Sequence, residues 1–78
     1  MREKKHLVVI TFHTTSAAMA MEKICQERGL PGRLIPAPRA ITSDCGIAWS
    51  APTETRETLE AKMREERIDF AGFHEVLL

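Results

Sequence analysis

The 78-residue sequence has no excess of charge: eleven Lys and Arg balance eleven Asp and Glu. A chain without a basic block offers no electrostatic footprint for nucleic acid. The cluster Arg2-Glu3-Lys4-Lys5 is short and mixed in sign, and reads as a solvated lead-in to a strand. Long apolar runs are missing too. Runs such as Leu7 to Ile10 fall far short of the ~20 residues that cross a bilayer, so no membrane partner is expected. No apolar h-region follows the basic start, which argues against a secretory signal. The expected location is the cytoplasm, where thiols stay reduced. Cysteine is scarce. Cys25 and Cys45 cannot build a disulfide framework, and the nineteen residues between them match no zinc motif. The chain also lacks a Cys-x-x-Cys pair, a phosphate loop and an evident acid/base pair. One Cys and one His are too few to specify a reaction, so a carrier or binding protein is expected rather than an independent enzyme, with no cofactor. No linker, low-complexity stretch or internal repeat divides the sequence, and residues 1–78 read as one domain. A domain this small buries only ~60% of the surface its unfolded chain exposes, so its stability margin is thin.

What is present reads as alternating strands and helices. His6 to Phe12 (HLVVITF) is apolar on both faces, with Val8, Ile10 and Phe12 on one and Leu7 and Val9 on the other. That is the pattern of a central strand. The capping residues His13-Thr14-Thr15-Ser16 then lead into a helix over about 16–28, with Ala17, Met21, Ile24 and Arg28 at helical spacing. Gly29 suits its C-cap and Pro31 blocks its continuation. Gly32 to Ile35 is a short strand that Pro36 confines to an edge. Gly46 to Ser50 is a third strand. Pro52 and Thr53 open a second helix, with Thr53 or Thr55 as cap, a charged body over Glu54 to Glu66, and Leu59 and Met63 as a thin apolar stripe. Gly72 to Leu78 closes the chain as a fourth strand. Strand, helix, strand, strand, helix, strand is the ferredoxin-like order: an α+β sandwich with a four-stranded antiparallel sheet and two helices on one face. Two helices cover one face only, so the apolar second face of the first strand predicts a further cover, a homodimer or a docked partner.

One segment exceeds what folding alone requires. Pro36-Ala37-Pro38-Arg39-Ala40-Ile41-Thr42-Ser43-Asp44-Cys45-Gly46 is a long irregular loop in a small domain, and such loops are usually functional unless disordered. Its prolines stiffen the approach to Cys45. In this topology the right-handed crossover puts the end of the first strand, the start of the first helix and the loop at one sheet edge. Cys45 should therefore lie near Phe12, His13 and the cap residues, and the turn Asp69 to Ala71 should reach the same edge. A thiol becomes nucleophilic as the thiolate, and a cation or a helix N-terminus favours that form. Arg39 and His13 are the candidate cations, while the Asp44 carboxylate works against them. Gly46 either admits another molecule to the sulfur or supplies a positive φ. Thr15 and Ser16 read first as caps, with anion binding alongside the helix amides as the second use. Cys25, inward on the first helix, reads as core. His74 reads as an ordinary strand position, and Trp49 as sheet packing shared with Ile47.

The run Arg33-Leu34-Ile35-Pro36-Ala37-Pro38-Arg39-Ala40-Ile41-Thr42-Ser43-Asp44-Cys45-Gly46-Ile47-Ala48 resembles the small bacterial DUF3343 family, whose members are described as selenium/sulfur carrier-like proteins. The opening Ile10-Thr11-Phe12-His13-Thr14-Thr15 and the passage Gly29-Leu30-Pro31 are similar as well. The resemblance covers nearly the whole chain. It implies that Cys45 holds a sulfur or selenium atom as a persulfide or selenosulfide and passes it between donor and acceptor proteins. Arg39, Ser43, Gly46, His13 and Thr15 would be the binding residues around it, and no metal is implied. The competing expectation is a ligand-binding or regulatory module in which Arg39 and the start of the first helix hold an anion and Cys45 is incidental.

Overall fold

Apolar residues on both faces of the first strand put it inside the sheet, and the computed structural model, which describes residues 6–41 and 45–77, has it there. The elements are β1 (His6–Thr11), α1 (Thr15–Arg28), β2 (Arg33–Pro36), β3 (Ile47–Pro52), a 3-10 turn (Thr53–Thr55), α2 (Arg56–Glu66) and β4 (Gly72–Leu77). The strands form one sheet in the order β2-β3-β1-β4, with every neighbouring pair antiparallel. This is the ferredoxin-like arrangement read from the sequence. The proposed lead-in Arg2 to Lys5 and the terminal Leu78 of the fourth strand lie outside the described residues.

Alternation along the strands sorts the side chains by face. Val8 and Ile10 of β1 and Phe12 just beyond it join Trp49 and Ala51 of β3 in one buried cluster, together with Ala18, Met21 and Cys25 of α1 and Leu59 and Met63 of α2. Both helices therefore cover the same face. Leu59 and Met63 are the two buried residues of α2. Each fully buried side chain of this size is worth roughly 1.5–3 kcal/mol, so α2 is held by few contacts. Its exposed faces add the ion pairs Arg56–Glu60 at 2.8 Å and Lys62–Glu65 at 3.4 Å. An Arg28–Glu66 pair at 3.0 Å ties the last residues of the two helices together.

Local details depart from the sequence reading in instructive ways. Three candidate caps stand in a row before α1, and Thr14 is the one used: its Oγ1 accepts from the Ala17 amide at 3.1 Å. Thr15 is already the first helical residue. At the second helix Thr55 holds the N-cap position of α2, as the sequence reading allowed, but its side chain makes no capping bond. A 3-10 turn intervenes, and the Thr55 hydroxyl donates to the Pro52 carbonyl at 2.6 Å. The third strand runs on to Pro52 because its partner β1 extends that far, with Leu7 opposite Pro52. Pro36 is the last residue of β2 rather than the residue after it. As an edge strand, β2 tolerates the missing amide.

The sheet's second face has its own small cluster. Val9 and Ala48, both fully buried, pack with Ile41, and Ile35, Ala37 and Val76 flank them. Ala37 and Ile41 belong to the long loop. Part of the cover predicted for this face is thus supplied by the chain itself.

Candidate functional site

Register decides what meets at the edge. Thr11, the last residue of β1, pairs with Ala48 on one side and Gly72 on the other. Neighbouring strands lie ~4.8 Å apart. The segments leaving these three residues, Phe12 to Thr14, Cys45 to Ile47 and Phe70 to Ala71, therefore emerge side by side. The Ala71 amide donates to the Thr11 carbonyl at 2.7 Å and fixes the third of these segments at the edge. The Asp69–Ala71 turn reaches the edge the topology predicts.

The loop between β2 and β3 is closed at its base, where the Ala37 amide donates to the Gly46 carbonyl at 3.0 Å. At its start the Ile41 amide donates to the Pro38 carbonyl at 3.0 Å, making a tight turn with Arg39 and Ala40 exposed at its centre. Ile41 then drops onto the sheet's second face and is nearly closed from solvent. Cys45, at the far end of the loop, packs instead against the helix-side cluster. It is half-buried, and its thiol donates to the Ile47 carbonyl at 3.4 Å. The two ends of the loop thus grip opposite faces of the sheet. No hydrogen bond or ion pair joins Arg39, the candidate cation of this loop, to Cys45 among the described residues. Ser43 lies outside the described residues.

Gly46 adopts φ +76°, the left-handed region that favours glycine. Among the described residues a Cβ there would meet nothing within 4 Å. The positive-φ reading of this glycine holds. His13 is exposed and leaves the same edge as Cys45. Thr15 is exposed in the first turn of α1. The edge therefore gathers Cys45, Gly46, His13 and Thr15, and leaves Arg39 on the arm of the loop that leans on the other face. Among the described residues no group of three or more His, Cys, Asp or Glu could hold a metal ion.

Cys25 has the opposite environment. It is buried among the apolar side chains of the helix-side core, and desolvation pushes its thiol up to about 11 from the ordinary 9.0. Of the two thiols, Cys45 is the one with access to solvent.

A family model described as "Putative Se/S carrier protein-like" matches residues 7–75. The chain belongs to this family of selenium/sulfur carrier-like proteins. The match takes in both helices, β2, β3, most of β1 and β4, and the loop that carries Cys45. No curated protein and no solved structure matches the chain.

Two residues of consequence escaped the sequence reading. Ile41 anchors the loop, and its signal was a lone β-branched apolar residue in an otherwise polar stretch. Phe70, in the turn before β4, is 42% exposed and stands edge-on to Phe73 with ring centroids 4.9 Å apart. Its signal was an aromatic residue placed outside any strand or helix pattern.

Proposed function

We propose that this carrier-family member holds a sulfur or selenium atom on Cys45 and passes it between partner proteins. The observation that carries the reading is the half-buried Cys45, held at the base of a loop clamped on both faces of the sheet, in a chain of the Se/S carrier-like family. A carrier has to expose one thiol to two partners in turn and keep its other thiol out of the exchange. The contrast between Cys45 and Cys25 supports that division.

The transfer needs no external oxidant. The Cys45 thiolate attacks the outer sulfur of a donor persulfide, R–S–SH. A new S–S bond forms at Cys45, the donor's S–S bond breaks, and R–S⁻ leaves with the electron pair. The product is the Cys45 persulfide, and an acceptor thiolate repeats the step to remove the sulfur. A donor R–S–SeH gives the selenosulfide by the same accounting. His13 and Thr15, at the same edge, would meet the anionic atom, and Gly46 would leave room for the incoming donor. Arg39, on the exposed turn, fits contact with the partner protein better than contact with the sulfur. Ser43 completes the proposed binding set.

Intact mass measured after incubation with a small-molecule persulfide tests the reading. The Cys25→Ala chain should gain one sulfur atom, reversibly by thiol reductant, and the Cys45→Ser chain should gain none. A chain that gains sulfur only when Cys25 is present, or not at all, would overturn it.

A further inference from the structure

A cavity of about 480 Å³ opens between the end of α2, the turn that follows it and β4. That volume lies in the range of ~300–1,000 Å³ typical of small-molecule sites. Its apolar side comes from Met63, Ile68, Phe70 and Phe73. Met63 is 2% exposed, and the perpendicular Phe70–Phe73 pair, at 89°, makes a fixed aromatic corner. The charged lining is Glu60, Arg64, Arg67 and Asp69. The Glu60 carboxylate is already engaged by the Arg56 guanidinium at 2.8 Å, and that same guanidinium lies 5.5 Å from the Phe73 ring centre. Arg64, Arg67 and Asp69 enter no ion pair among the described residues.

The backbone at Arg67 is a second, independent observation. Each helix ends on a residue in the left-handed conformation: Gly29 at φ 68° for α1 and Arg67 at φ 56° for α2. Glycine adopts this cap without penalty, whereas a residue with a Cβ is disfavoured there. Arg67 is the one non-glycine residue at positive φ among the described residues. The chain thus places a guanidinium at the cavity wall at a position where glycine would serve the fold better.

Two unpaired guanidiniums, one unpaired carboxylate and an aromatic corner are complementary to a zwitterion with an apolar body. We propose that this cavity binds an α-amino acid with a large apolar side chain. Its carboxylate meets Arg64 and Arg67, its ammonium meets Asp69, and its side chain packs against Phe70 and Phe73. The site does not depend on the chemistry of Cys45, and Cys45→Ser should leave it intact.

The test is titration of the isotopically labelled 78-residue chain with L-phenylalanine, followed by amide NMR. Saturable shifts should be confined to residues 60–73. Phenethylamine, which lacks the carboxylate, and 3-phenylpropanoate, which lacks the ammonium, should each bind at least about tenfold more weakly, because each leaves a charged group unpaired. Arg67→Gly should lose about tenfold or more in affinity with no loss of thermal stability, which a purely structural role for Arg67 would not produce. Phe70→Ala, at an exposed position, should lose binding in a folded chain. The absence of a saturable shift, equal binding of phenethylamine, or unchanged affinity in Arg67→Gly would each overturn the proposal.

Discussion

At the residue scale, burial separates two thiols of the same chemical type. Cys25 is closed on all sides by apolar groups, so ionising it in the folded state means placing a charge where water cannot reach. The sign follows from its raised value. Below pH 9.0 the thiol is neutral in both folded and unfolded chains, and its full contribution to stability is present. Between 9.0 and about 11 the unfolded chain releases the proton first, and folding loses that contribution. A shift of this size corresponds to roughly 2–3 kcal/mol. The difference in unfolding free energy between the wild-type chain and Cys25→Ala should shrink by about that amount across this window. Denaturant titrations of the two chains, repeated at several alkaline pH values, would show it. A difference independent of pH would mean that Cys25 ionises freely.

Two glycines make a second comparison at this scale. Gly32 has φ +123°, and a Cβ there would stand 2.5 Å from the Trp49 indole Nε1 and 2.6 Å from the Ser50 carbonyl oxygen. Backbone and a buried ring cannot give way cheaply. Gly46 is also left-handed, but its Cβ would meet nothing within 4 Å among the described residues. Gly46→Ala should therefore cost only the conformational penalty, about 1 kcal/mol. Gly32→Ala adds a steric clash and should cost roughly 2–4 kcal/mol in all. Equal losses in thermal denaturation would show that the Gly32 segment moves away from Trp49 without cost. The close approach also accounts for the surroundings of the indole Nε1, which is buried with no hydrogen-bond partner among the described residues.

At the element scale, the loop is a clamp. Ile41 holds one arm to Val9 and Ala48 on the second face, and Cys45 holds the other to the helix-side core. Removing the Ile41 side chain should free the first arm and leave the sheet standing. Ile41→Ala should cost roughly 2–3 kcal/mol and raise the alkylation rate of Cys45, because the arm that braces its loop is loose. An unchanged rate would mean that Cys45 is held by its own packing and by Gly46 alone. The elements themselves were legible in the sequence, since they follow from periodicity. β1 showed apolar residues on both faces, and Gly29 with Pro31 marked the end of α1. Choosing Thr14 over Thr15 and Ser16 as the cap was not legible, because all three can cap and only the tertiary position of the first turn decides. The clamp was not legible either. Nothing local says that Ile41 and Cys45, only four residues apart, bind opposite faces of a sheet formed by residues distant in sequence.

At the scale of the whole molecule, the question is what the second face of the sheet asks for. The apolar residues there are the motive for expecting a second copy of the chain. Their centre already has an intrachain cover. Val9 and Ala48 are fully closed, Thr11 is 1% exposed and Ser50 7%. A stable pairing needs ~800 Å² from each partner, a large share of a chain whose whole accessible surface is 5337 Å². With the loop in place, the half-buried Leu7, Ile35, Ala37 and Val76 at the margins are the apolar residues this face has left to offer among the described residues. The chain should therefore sediment as a monomer at micromolar concentration. Replacing Ile41 by Asp should change that: a carboxylate cannot remain against Val9 and Ala48, the loop lifts, and the apolar strip it covered becomes available to another copy. Sedimentation velocity on the two chains separates the possibilities. A wild-type dimer that Ile41→Asp dissolves would mean that the loop builds an interface between copies instead of replacing one, and Cys45, at the other end of that loop, would then work beside a second chain.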